Sequence, residues 1–89
     1  MPSISLGQVV QSKQGKDDQL FYVIVGINGN SLMLVNGRER TMKNPKKKNI
    51  RHVKIYQCIC PTANNLERNQ LLSNEAIRGF LNKYKPDNL

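Results

Sequence analysis

Fourteen of the 89 residues are lysine or arginine, and five of them fall within the twelve residues of NPKKKNIRHVKI (44–55). The chemistry these side chains offer is the binding of negative charge. Lys46, Lys47 and Lys48 are compact point charges on long stems, and Arg51 is a planar donor that can fork onto two oxygens of one phosphate. Two further arginines, Arg38 and Arg40, stand two residues apart in RERTM (38–42). On a strand that spacing sends both to one side, where they could clamp a single stretch of a polyanion backbone. His52 and Tyr56 could stack on a base. The plainer roles are favoured for both: Tyr56 as a packing residue at a barrel rim, His52 bonded to a backbone carbonyl.

The net charge of +8 is unevenly spread. In residues 1–37, Lys13 and Lys16 cancel Asp17 and Asp18. Residues 38–56 add Lys43 and Lys54 to those named above, making eight basic residues against Glu39 alone. The remainder, 57–89, is nearly balanced. A concentrated excess makes a local positive field, the footprint of a polyanion partner, and RNA is the favoured one. The competing reading is a lysine-rich surface that is merely solvated.

Other chemistries find few candidates. There is no Ser/His/Asp set, no Cys–His nucleophile spacing and no glycine-rich phosphate loop leading into a helix, so no catalysis is expected. Cys58 and Cys60 are too close in sequence to pair well, and His52 is the only histidine, so neither a metal nor another cofactor is expected. Two thiols in a reducing compartment is the better reading. A chain this short is one domain with a small core, which leaves little room for a small-molecule substrate site. No run approaches the roughly 18 apolar residues of a membrane span. MPSISLGQVV lacks the pattern of a secretory signal. A cytoplasmic monomer is the expectation.

The elements that must position the cations read as strands, then helix. LGQVVQS (6–12) is a short strand and QGKDD (14–18) a loop. LFYVIVGI (20–27), apolar on both faces, is the expected central strand. NGN (28–30) is a turn, LMLV (32–35) a strand, and NG (36–37) a hairpin signal that makes 38–42 the return strand. A basic loop follows, and RHVKIY (51–56) alternates so that Val53 and Ile55 share a face. Five such strands suggest a small antiparallel barrel. After Pro61 the period changes. Ser73 is a good N-cap for a helix over 73–85, whose Ile77, Phe80, Leu81 and Tyr84 form one apolar stripe that should dock on the barrel. NNLERNQLL (64–72) suggests a short helix before it.

Three blocks carry a family resemblance. Gly7, the Val9–Val10 pair, Gly15 with Lys16–Asp17, and the apolar run to Gly26–Ile27 resemble a KOW motif. Asn36-Gly37-Arg38-Glu39-Arg40, Pro45-Lys46-Lys47-Lys48 and Arg51-His52-Val53 follow in the order seen in small bacterial KOW-domain RNA-binding proteins. These in turn look like KOW-bearing large-subunit ribosomal proteins of eukaryotes and archaea. Asp18 stands where many such motifs carry a second glycine, and Asn36 where Asp is usual. The resemblance implies a mainly β, SH3-like barrel over 1–60 with a helical extension, 61–89, packed on it. It also implies a non-catalytic protein that docks on structured RNA, ribosomal RNA or the ribosome. The candidate RNA-binding residues are Lys13, Lys16, Arg38, Arg40, Lys43, Lys46, Lys47, Lys48, Arg51, His52 and Lys54. The alternative is a protein-interaction module for an acidic partner; the absence of tryptophan weakens it.

Overall fold

The computed structural model describes residues 4–13, 20–60 and 74–84. The loop expected at 14–18, with Lys16, the helix expected at 64–72 and the cap Ser73 lie outside the described residues. Five strands are present: β1 (Gln8–Ser12), β2 (Phe21–Asn28), β3 (Ser31–Val35), β4 (Lys46–Asn49) and β5 (Val53–Ile59). A 3₁₀ turn, Ile50–His52, joins the last two, and one helix, α1 (Asn74–Lys83), follows. All strand pairs are antiparallel, in the order β4-β3-β2-β1-β5.

β2 is therefore the middle strand, as its uninterrupted apolar run requires. Alternate residues of a strand point to opposite faces, and here both faces are covered. Tyr22 and Ile24 join Val10, Leu32, Leu34 and Val53 in one core, with Ile4, Ile50 and Ile55 packed against it. Val23 joins Val35, Cys60 and Ile77 in a second, flanked by Val25, Met42, Phe80 and Leu81. The second core lies under α1. Its stripe docks through Ile77, Phe80 and Leu81, as the change of period predicts. Full burial of a side chain such as Ile77 stabilises by about 1.5–3 kcal/mol, and the half-buried Phe80 and Leu81 add a part of that each, so the helix is an integral wall of the fold.

Backbone bonds close the sheet into a barrel-like shape. The Ile50 N–H donates to the Asn30 carbonyl (2.8 Å) and the Lys13 N–H to the His52 carbonyl (2.9 Å). The 3₁₀ turn thus fastens the β2–β3 hairpin tip to the end of β1. That tip is a two-residue turn between paired Asn28 and Ser31, made possible by Gly29 at φ +61. Where β5 bulges against β1 between Gln8 and Val10, the buried Gln8 side chain donates to the Tyr56 carbonyl (3.0 Å). An acceptor that the interrupted ladder leaves over is satisfied in this way.

The expected return strand and the basic loop after it are not formed. Residues 38–42 are not a strand, and the partner of β3 is the lysine run itself, Lys46–Asn49. The cause is Asn36. Its buried side-chain oxygen accepts from the backbone N–H groups of Arg38 (2.9 Å) and Arg40 (3.1 Å). The Asn36 and Gly37 N–H groups both donate to the Arg40 carbonyl (2.9 and 3.0 Å). The segment folds on itself and uses up donors that a ladder would need. A second turn, closed by the Asn44 N–H on the Thr41 carbonyl (2.9 Å), then delivers the chain to the edge of β3.

Candidate nucleic-acid interface

The cations expected on a return strand, a basic loop and the strand after it are distributed by this fold over four places. The first is β4, an edge strand. Lys46 lies opposite Leu34 and Lys48 opposite Leu32, while Lys47 lies opposite Met33. Directly paired residues project to the same face. Lys46 and Lys48 therefore leave on the side of the first core, half-buried, and Lys47 leaves on the other side, exposed. Long stems can lie along apolar surface while the ammonium stays in water. Lysines on an edge strand also discourage pairing with another sheet, a structural duty compatible with anion binding.

The second place is the 3₁₀ turn. Asn49 caps it by accepting from the Arg51 N–H (2.9 Å), which leaves Arg51 exposed. Lys13, exposed, is brought beside it by its bond to His52. The His52 ring, half-buried, has no hydrogen-bond partner among the described residues, so its expected bond to a backbone carbonyl is not made. Its own carbonyl is bonded instead.

The third is the 36–40 loop, seated on α1. With no strand there, Arg38 and Arg40 are not a same-face pair: Arg38 is exposed and Arg40 half-buried. The Arg38 guanidinium donates to Asn82 Oδ1 (3.0 Å), the Arg78 guanidinium to the Gly37 carbonyl (3.2 Å), and the Met42 N–H to Asn74 Oδ1 (2.9 Å). Arg78 is a cation that the strand-centred reading overlooked. It sits beside Ile77 of the apolar stripe, and its basic side chain next to that stripe was the available signal. Lys43, in the following turn, is exposed.

The fourth is the outer face of β5. Lys54 is exposed, with its ammonium 5.2 Å from the centre of the Tyr56 ring. Tyr56 packs with Phe21 (5.6 Å) and Tyr84 (5.9 Å), and Phe80 stacks on Tyr84 (6.1 Å). The Tyr56 hydroxyl donates to Gln11 Oε1 (2.8 Å). These rings tie the end of the helix to the sheet, so Tyr56 serves as the packing residue expected of it. Tyr56→Phe is expected to remove about 1 kcal/mol of stability, seen as a melting temperature lower by roughly 4–8 °C.

Among the described residues, no three His, Cys, Asp or Glu side chains gather to hold a metal ion, and no helix is long and apolar enough to cross a membrane. No family model matches the chain. Over 61 residues it is 34% identical to YbzG of Bacillus subtilis (strain 168), which is provisionally named a ribosome-binding protein. The aligned stretch covers 67% of this chain and 82% of that one.

Proposed function

The chain belongs to the family of YbzG, and from that premise we propose that it is a non-catalytic RNA-binding protein that docks on ribosomal RNA within the ribosome. The barrel is then of the KOW type, and the protein acts in the cytoplasm as a monomer. The observation that carries this reading is the division of labour among the strands. β2 and β3, which form the cores, bear no charged residue, while β4, the 3₁₀ turn and the 36–40 loop bear the cationic excess. Lysines and arginines set on such elements neutralise phosphates and release their counterions, which supplies affinity without base readout.

Co-sedimentation tests the proposal. Purified protein is expected to pellet with ribosomes, to bind extracted ribosomal RNA, and to leave both as salt is raised. A poly-glutamate chain of similar charge at the same salt should compete poorly. Retention on ribosomes that is indifferent to salt, or equal capture by poly-glutamate, would count against docking on RNA.

A further inference from the structure

Between the 36–40 loop, the second half of α1 and the start of β2 lies a half-open groove of about 160 Å³. Its apolar lining comes from Leu20, Phe21 and Leu81, and its charged lining from Arg38, Arg78 and Glu39. Leu20 is left 42% exposed there, a large apolar side chain that the described fold does not cover. A cavity of about 150 Å³ is the size that accepts one benzene ring. The groove thus suits a single six-membered ring and is too small for a run of peptide side chains.

The two arginines of the groove are held in place before any ligand arrives. Each guanidinium spends a donor on a fixed partner, Arg38 on Asn82 and Arg78 on the Gly37 carbonyl. Neither has an ion-pair partner among the described residues. A guanidinium carries five N–H donors in a rigid fork, so most remain for a ligand while the first bond limits its motion. An apolar seat for one ring beside two oriented forks, with one carboxylate against two guanidiniums, is complementary to a ring that bears an anion.

We propose that this groove seats one unstacked pyrimidine nucleotide of a bound RNA, with the base on Leu20, Phe21 and Leu81 and its phosphate held by Arg38 and Arg78. The inference rests on the RNA-binding reading and adds to it a single-stranded contact on the helix side of the barrel. Single-stranded bases are the ones free to be splayed onto apolar or aromatic side chains.

The probe is a short fluorescein-labelled oligouridylate, followed by anisotropy and by amide shifts of the full chain. Leu20, Phe21, Arg78 and Leu81 are expected to shift on binding. Arg78→Gln should weaken binding about tenfold through loss of a forked contact, and should make the log–log salt slope shallower by roughly 0.7. Arg78→Lys should recover the slope but not the full affinity, since a point charge replaces a fork. Arg38→Gln provides a second variant should Arg78→Gln loosen the loop, and melting curves are recorded for all three. Binding with unshifted groove resonances and unchanged slopes overturns the groove while leaving RNA binding intact. No binding of oligouridylate or of ribosomal RNA removes both. Groove shifts with poly-glutamate but not with oligouridylate assign the site to an acidic protein and overturn the proposal.

Discussion

Gly37→Ala is expected to lower stability by about 2–4 kcal/mol, the sum of a backbone term and a collision. Gly37 has φ +80, where an L side chain is strained by about 1–2 kcal/mol. An added Cβ would also fall well inside contact distance of the Asn74 carbonyl oxygen, and 2.9 Å from both the Arg78 nitrogen and its Cβ. Two of these three atoms are helix backbone and cannot swing aside. Relief would have to come from parting the loop and the helix, and three hydrogen bonds cross that seam: Met42 to Asn74, Arg78 to Gly37 and Arg38 to Asn82. Gly29→Ala is the internal control. It has φ +61 and nothing within 4 Å of the added atom, so it should show the backbone term alone. Urea unfolding of both variants isolates the collision as the difference between them. Equal losses would mean that the loop does not bear on the helix.

The seam also shows what could and could not be read from the residue order. β2 was legible because a run apolar on both faces has few places to go except the middle of a sheet, and α1 because its stripe repeats at helical period. Both signals are local. The fourth strand was not local. Lysine is a poor strand former, and KKKN pairs only because β3 presents an unfilled edge once the chain turns back. The Asn36-Gly37 pair looked like a hairpin turn, and a turn does occur there, but the Asn36 side chain captured the donors of the supposed return strand. Arg78 and the groove drew on residues near 20, 36–39 and 78–82, three stretches that only packing brings together. Binding surfaces assembled across elements leave no periodic trace, whereas cores do.

Replacing Lys46, Lys47 and Lys48 together by alanine is expected to weaken binding to ribosomal RNA by roughly tenfold or more at moderate salt, with only a modest fall in melting temperature. The loss should not be shared equally. Lys46 and Lys48 leave the strand on one face, about 6.6 Å apart along the strand at two residues' rise, and Lys47 leaves on the other. One phosphate backbone following the open edge of β4 on that side meets the pair and not the third. For single-stranded RNA, each phosphate contact adds about 0.7 to the log–log salt slope. The double variant Lys46→Ala, Lys48→Ala should therefore flatten the slope by roughly 1.4, and Lys47→Ala by at most about half as much. For a duplex segment the steps scale up to about 0.9 per contact. The exposed Lys47 adds little to folding, whereas the half-buried stems of Lys46 and Lys48 give up some packing when cut back to alanine. The measurement also separates the two duties of an edge lysine. If the triple variant keeps its affinity and slope but gains light scattering on concentration, the run only guards a strand edge against self-association. In that case RNA docking would lose β4 and rest on Arg51, Lys13 and the 36–40 loop. A loss of slope without aggregation places the phosphates on β4, the one strand whose lysine run the fold would otherwise have reason to avoid.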